Sequence, residues 1–510
     1  MKRHLTKYIY CSLIMFGIIA TQSCTKNFDT LNVNPDASSK AVPQYIFTKA
    51  QYDGTARMLD LLLGTMQYTT SFNDVAGFGS KYVLSQSPQS AAAFTNAYPN
   101  EINELVEVLK AVGTDASQVN LQAEARIWKV YCFSRLTDLY GDIPYSQAAQ
   151  GYNQAIYKPA YDAQKDIYAD LLKELDQAAQ SLDAAKTTFG SADLIYGGNT
   201  VKWKKFAYSL MLRCAMRMTK VDIAQAQTWA AKAIAGGVIL DDADVAKVAY
   251  VGAGQDINKN PLALDLYNND YIAGNGSTNT EGGKYQDVFI NYLKANKDPR
   301  LAVLSVVWNG GVADTTSAIQ KGMSAGLNAK PADFVTYSEP NPKTILLLNS
   351  PRLVFTAAES YFLLSEAAAR GWYTAATAES LYQNGIAASM RQWSIIAGSA
   401  GTITTAQINS YINAHPFNTG GTLDQKMAQI YTQFWVGVFP DAQEVFASYR
   451  RTGYPALVPN NYVGNATGGK IFRRMLYPVS EQNLNAASYA AAIARQGSDD
   501  FLTRIWWDKQ

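Results

Sequence analysis

LQAEARIWKVYCFSRLTDLYGDIPY, residues 121–145, is the stretch on which the fold turns. From Leu121 to Tyr140 apolar side chains fall on nearly every face of a 3.6-residue period, the pattern of a helix enclosed by others. Gly141 and Pro144 then end it, because glycine accepts the conformation past a helix C-terminus and proline cannot continue the hydrogen-bond ladder. A helix buried on all sides needs amphipathic neighbours, and the sequence supplies them in both directions. Upstream, Tyr45 to Thr70 reads as one or two helices, and Ala97 to Lys110 lines up Ile102, Leu105, Val106 and Leu109. Downstream, Asp162 to Leu182 repeats the pattern through Ile167, Leu171, Leu175 and Ala178. Val201 to Thr219 and Asp222 to Ala235 form a pair that stops at Gly236-Gly237, and Ala357 to Arg370 and Ala375 to Trp393 form another. Helix pairs rich in Ala, Leu, Tyr and Trp at roughly 34-residue intervals are the signature of tetratricopeptide-like (TPR-like) packing. The expected fold class is therefore mainly α: TPR-like helix pairs forming a right-handed helical scaffold, with a loop-rich face and a few short β strands.

Two stretches break the helical pattern. Residues 236–350 are rich in Gly, Asn, Asp and Thr, with Gly274-Asn275-Gly276-Ser277, Gly282-Gly283 and a β-like run from Leu301 to Trp308. Residues 453–510 also read as loops. Long loops in a compact protein usually carry function.

Composition narrows the chemistry. The chain has 510 residues, with 32 Tyr, 9 Trp and 19 Phe but only 2 His and 4 Cys. A hydrophobic share of 48% with 17% charged residues describes a chain that buries a core. Of the histidines, His4 falls in the leader described next, which leaves His415, too few for a multi-histidine zinc site. No G-x-S-x-G elbow accompanies His415, so it reads as a surface residue before the turn at Pro416. The carboxylate groups Asp241-Asp242 with Asp244, and Asp499-Asp500, read as helix caps and turns.

The first residues set the compartment. Lys2, Arg3 and Lys7 precede an apolar run from Tyr8 to Ala20, shorter than the ~20 residues that span a bilayer. Residues 1–23 read as a secretory signal that is removed. Ala20-Thr21-Gln22-Ser23 leads into Cys24, an arrangement that resembles a bacterial lipobox and makes Cys24 the expected lipid anchor. Thr21 stands where such a motif most often has Leu. Loss of the signal removes three basic and no acidic residues, taking the formal net charge from +2 to −1. No basic patch then argues for nucleic acid. Residues 24–510 read as one domain. Cys132 and Cys214 read as buried thiols, with a bridge between them also open in an exported protein. Residues 25–44, with Asp29, Asn32, Asn34, Pro35, Asp36 and Pro43, carry turn chemistry and read as an extended arm.

Seven segments in order resemble the SusD/RagB family of bacterial outer-membrane lipoproteins, in particular its SusD-like nutrient-binding branch. They are Phe28 to Pro35 after the lipobox-like end, Arg135 to Tyr145, Lys202 to Ala207 continuing to Arg213, Asp298 to Leu301, Leu363 to Trp372, Tyr449 to Pro455, and the terminal Trp506 to Lys509. The charged and aromatic residues of these segments read as scaffold: helix ends, carboxylate-pairing arginines, and tryptophans that dock the C-terminus. The resemblance implies a lipid-anchored protein on the exterior of the outer membrane, seated over a SusC-like TonB-dependent transporter. It would bind an oligomeric nutrient, a glycan first and a peptide second, with no cofactor and no covalent chemistry. An exported glycoside hydrolase on the same scaffold is the enzymatic alternative; it requires two carboxylates converging about 5–10 Å apart.

A sugar bound without catalysis needs flat apolar rings with polar neighbours. One ring covering roughly 100 Å² contributes about 2.5 kcal/mol before ordering costs. Two or three rings reach a millimolar to micromolar dissociation constant, about −4 to −8 kcal/mol. Aromatics in loops are the candidates: Phe72 and Asn73 with Phe78 and Tyr82, and Tyr267 to Tyr271 beside the glycine-rich loop. Tyr285, Trp308, Phe334 and Tyr337 complete the group. The expected ligand contacts are Asn73, Phe78, Tyr82, Asn269, Tyr271, Trp308 and Tyr337. Tyr131, Trp203, Trp229 and Trp393, on helical segments, are expected in the core.

Overall fold

Helix pairs account for most of the architecture. The computed structural model describes residues 42–56, 60–73, 79–83, 88–269, 283–309 and 311–510. The expected signal, residues 1–23, and Cys24 lie outside them. Pro43–Gln510 is one compact unit.

The helix read from residues 121–145 runs Val119–Tyr140 and is buried along nearly its whole length. Gly141 follows it at φ +82°, and a β-carbon there would meet the Gln496 amide at 1.7 Å, so only glycine fits. Gln164–Ser181 packs on this helix and also on Thr200–Arg217, which in turn packs on Ile223–Gly236. Ala357–Ala369 pairs with Ala378–Ala397, and both pack on Leu423–Gly437. At the N-terminal end Pro43–Ala56 packs on Asn103–Val112. Sequence punctuation sets these ends: Asn199, Thr356, Thr377, Thr404 and Thr422 each cap the helix that follows with a side-chain oxygen. The expected TPR-like helical scaffold is what forms, with four small sheets of two or three short strands among the described residues.

Three details differ from the sequence reading. Ala97 to Lys110 is not one regular helix: a π-helical turn at Tyr98–Ile102, broken at Asn100, precedes Asn103–Val112, because Pro99 cannot donate to the ladder. The β-like run begins as a short helix, Arg300–Leu304, before the strand Ser305–Asn309. Within residues 453–510 there are two helices, Val479–Leu484 and Ala486–Gln496; the second is alanine-rich, and alanine orders into a helix at least cost.

The seven-segment resemblance has a physical basis in the core. Arg213 makes a two-point bond to Glu359, at 2.6 and 2.7 Å. Arg217 bonds Glu444 at 2.6 Å and approaches Asp138 at 3.3 Å. Arg451 grips Glu366 at 2.8 and 2.7 Å, and Tyr431 donates to the same carboxylate. Arg135 grips Asp441 at 2.8 and 3.0 Å. Arg450 donates to the Asp138 carbonyl, and Trp507 Nε1 donates to the Asp138 carboxylate at 2.9 Å. Nearly all these groups are fully buried. Residues from five of the seven segments thus meet in one charged knot that joins the Val119–Tyr140, Thr200–Arg217, Ala357–Ala369 and Ala442–Thr452 helices. A sixth, Asp298 with Arg300, forms its own fully buried pair nearby in sequence to the strand it introduces.

Cys132 and Cys214 are free and buried, and burial pushes the Cys214 thiol up to about 12. His415 stacks on Tyr411 with ring centres 4.1 Å apart and hydrogen-bonds the Tyr411 carbonyl and the Asn296 side chain. No helix of the described residues is long and apolar enough to cross a membrane.

Candidate functional site

Short strands gather three of the expected aromatic segments onto one face. Thr69–Ser71 pairs antiparallel with Gly283–Tyr285, setting Thr70 opposite Lys284. The Tyr285 amide donates to the Ser338 carbonyl at 3.0 Å, which ties this pair to the next. Glu339–Pro340 there pairs with Ser305–Asn309, whose other edge carries Val312–Asp314. Phe72 and Asn73 leave the first strand, Trp308 stands near the end of the central one, and Phe334 and Tyr337 precede Glu339. The loop from 458 to 469 lies across the base: Asn460 donates to the Ser80 carbonyl and the Ala466 amide to the Tyr82 carbonyl.

A buried pair sits beneath these rings. Lys284 is fully buried and bonded to Glu339, and its ammonium lies 4.5 Å from the Phe334 ring centre. Burial pulls its pKa below the usual lysine value, with Glu339 opposing. Glu339 also accepts from Trp308 Nε1 at 3.1 Å, which fixes the indole plane. Phe72 and Phe334 meet edge to face, 5.2 Å apart, in a small apolar cluster with Met323, Tyr337 and Leu327. Lys321 caps the Tyr337 ring at 4.3 Å. Lys81, also fully buried, donates to the Phe72 carbonyl at 3.1 Å and lies 4.7 Å from the Tyr462 ring centre.

The expected contacts fall into distinct groups. Asn73 is exposed and Trp308 half-buried, so both present surface. Tyr337 is only 9% exposed and reaches the surface at its margin. Tyr82 is a correction: it is fully buried and its hydroxyl donates to the Thr65 carbonyl at 3.3 Å, because the chain turns inward after Gly79. Tyr285 is likewise buried, its hydroxyl on the Leu304 carbonyl at 3.1 Å. Phe78 and Tyr271 lie outside the described residues, as does the side chain of Asn269, whose backbone ends the helix Pro261–Asn269. Lys81, Lys284 and Glu339 were missed, since a lone charge in a loop carries no sequence signal of burial.

The carboxylates singled out by the sequence have structural employment. Asp241 caps the Ala243 amide, Asp242 pairs with Arg391, Asp244 with Lys205, and Asp499 with Arg474. Among the described residues no group of three His, Cys, Asp or Glu is placed to hold a metal ion. The face as a whole offers rings held at fixed angles by buried polar bonds, an arrangement suited to a flat, hydroxyl-rich ligand.

Comparison with known proteins places this geometry. The model of the SusD-like family described as starch-binding and associating with the outer membrane matches residues 35–478. Among solved structures, a chitin-binding protein is 29% identical over 92% of this chain and 100% of its own, with a TM-score of 0.80. A SusD homologue from Bacteroides uniformis is 27% identical over 91% and 100%, with a TM-score of 0.75. A chitin-binding SusD homologue from Flavobacterium johnsoniae is 25% identical over 92% and 98%, with a TM-score of 0.72. No protein of curated function matches the chain.

Proposed function

Because this chain belongs to the SusD-like family, we propose that it is an outer-membrane lipoprotein that captures an oligosaccharide at the cell exterior. It passes the sugar to a SusC-like TonB-dependent transporter and does not cleave it. The observation that carries this reading is the strand face, where the buried Lys284–Glu339 pair anchors Trp308 and underlies the Phe334 ring on which Phe72 packs. Rings fixed by buried bonds lose little freedom on binding, so even weak stacking yields a usable affinity. The starch and chitin named for the family and for two relatives make glucose and N-acetylglucosamine polymers the first candidates. Phe78 and Tyr271 are proposed to complete the contact surface with Asn269, and Tyr337 to support it from below. Cys24 is proposed to carry the lipid.

Calorimetric titration of the chain with maltohexaose, chitohexaose and an unrelated peptide of similar length tests the cargo. Micromolar to millimolar binding of a sugar and none of the peptide is expected. Peptide binding alone would transfer the same role to peptide cargo, and release of shortened sugars during the titration would favour the hydrolase. Copurification with a transporter tests the partner, and full membrane retention of Cys24→Ala would rule out the anchor.

A further inference from the structure

A second pair of exposed rings stands among the helices and shares no residue with the strand face. Tyr152 and Tyr157 are 95% and 79% exposed. They do not stand on a loose loop. The short helix Gly151–Gln154 between them is clamped by Asn153, which donates to Glu107 at 2.9 Å and accepts from Lys110. Farther along, Gln147 accepts from the Ala160 amide at 2.9 Å and Asn485 donates to the Pro159 carbonyl at 2.8 Å. The Tyr157 ring lies over Gly151, 3.6 Å from where a β-carbon would stand. The backbone that carries both tyrosines is therefore held in place, and the Tyr157 ring is set against Gly151.

Gln150, the residue before this helix, lines a cleft of about 390 Å³ between the Val119–Tyr140 and Gln164–Ser181 helices. Its floor is apolar, with Phe133 and Ile167, and its walls are polar. Some wall groups are already engaged: Asp162 accepts from the Tyr145 and Ser146 amides, and Asp170 from the Tyr145 hydroxyl at 2.6 Å. Others are open. The Asp166 carboxylate and the Gln150 amide have no side-chain partner among the described residues, and the Lys129 ammonium lies 5.7 Å from the Tyr145 ring centre without an ion pair there.

We propose that this cleft, with Tyr152 and Tyr157 at its rim, is a second saccharide-binding site. An apolar floor, open donors and acceptors of both signs, and exposed tyrosine rings on an anchored segment match a pyranose, which presents C–H surfaces and hydroxyls together. The site shares no residue with the strand face, so one long polymer or two separate chains can occupy both. Two modest sites on one polymer raise its retention through effective concentration without making either site slow to release.

This inference rests on the glycan reading above, and its test separates the two. The chain, Tyr152→Ala/Tyr157→Ala and Trp308→Ala are titrated with maltohexaose and chitohexaose, with melting temperature as the fold control. Both tyrosines are exposed, so the double variant is expected to melt as the parent does. The parent is expected to bind two sugars per chain. The double variant should keep one and bind at the other about tenfold or more weakly, equivalent to 1.4 kcal/mol; Trp308→Ala should show the reverse. One site in the parent, lost only in Trp308→Ala, overturns the second site and leaves the glycan reading standing. Loss only in the tyrosine variant upholds the cleft and overturns the strand face. No binding of either sugar overturns both readings. Unchanged sugar binding with lost transporter copurification in the tyrosine variant overturns the cleft and assigns the rim to a protein partner.

Discussion

Arginine or lysine, carboxylate and aromatic rings meet both in the knot among the helices and under the strand face, to different ends. In the knot most charges are out of water, and the central ones meet several partners: Glu366 takes Arg451, Arg370 and Tyr431 at once. Burial pushes its carboxyl up, yet those partners outweigh it and hold it at about 2. Under the strand face Lys284 pairs with Glu339, and the same carboxylate accepts from the half-buried Trp308. The difference teaches what each is for. Charges paired between helices fix one helix arrangement and present no ring to solvent, whereas a buried pair beneath a surface ring holds that ring at a set angle.

The largest effect should come from breaking the knot. Glu366→Leu leaves Arg451 and Arg370 without their shared carboxylate, and an uncompensated buried charge costs about 3–5 kcal/mol. Denaturant unfolding should show that loss, while sugar affinity of the folded fraction stays at the parent value. A loss below about 1 kcal/mol would mean that water or another carboxylate already serves these arginines.

Glu124 is the counterexample that sharpens the rule. It is fully buried on the Val119–Tyr140 helix, and neither carboxylate oxygen has a hydrogen-bond partner among the described residues. Burial pushes its pKa up to about 9, Asp193 adds to the rise, and the Phe189 amide opposes it without reaching hydrogen-bonding geometry. The folded state therefore holds a proton that the unfolded chain releases near its ordinary value of ~4.3. Stability should fall as pH rises from about 4.5 towards 9, and the cost at pH 7 is about 3 kcal/mol. Glu124→Gln keeps the shape and removes the titration. Unfolding at pH 5, 7 and 8.5 should show a gain over the parent that grows with pH, and an equal gain at all three would refute the assignment.

Legibility in the sequence followed the same divide. The knot was readable because its residues sit on strongly periodic helices: Arg213 and Arg217, four apart, share a face, and Gly141 with Pro144 marks where Asp138 must end its helix. The C-terminal Trp507 was expected to dock and does so on Asp138. The strand face was half readable. Asn73, Trp308 and Tyr337 are brought to one side, but their strands are two to five residues long, and one pairing joins positions more than two hundred apart, which no local period reveals. Tyr82 looked like a loop ring and is core, because burial in an irregular segment depends on what crosses it, here residues 460–466. Ala486–Gln496 was missed since its polar flanks hid a helix made chiefly of alanine.

The smallest expected stability effect, and the most informative, is at Trp308. If the strand face is a surface, Trp308→Ala should weaken sugar binding about tenfold, or 1.4 kcal/mol. The half-buried ring should contribute less to folding than a core aromatic, whose loss costs about 3–5 kcal/mol. Trp308→Phe separates the ring from its anchor. It keeps an aromatic face but loses the Nε1 donor to Glu339, so the ring tilts more freely and binding should fall between parent and alanine variant. Glu339→Gln should resemble the phenylalanine variant in affinity, because it leaves the indole intact while weakening the bond that orients it. It also leaves Lys284 short of its counter-charge, so a stability loss must accompany it. The comparison breaks if Trp308→Ala destabilises as much as Glu366→Leu and leaves sugar affinity unchanged. The indole would then be a packing residue like Tyr82, and the Lys284–Glu339 pair a small knot of its own.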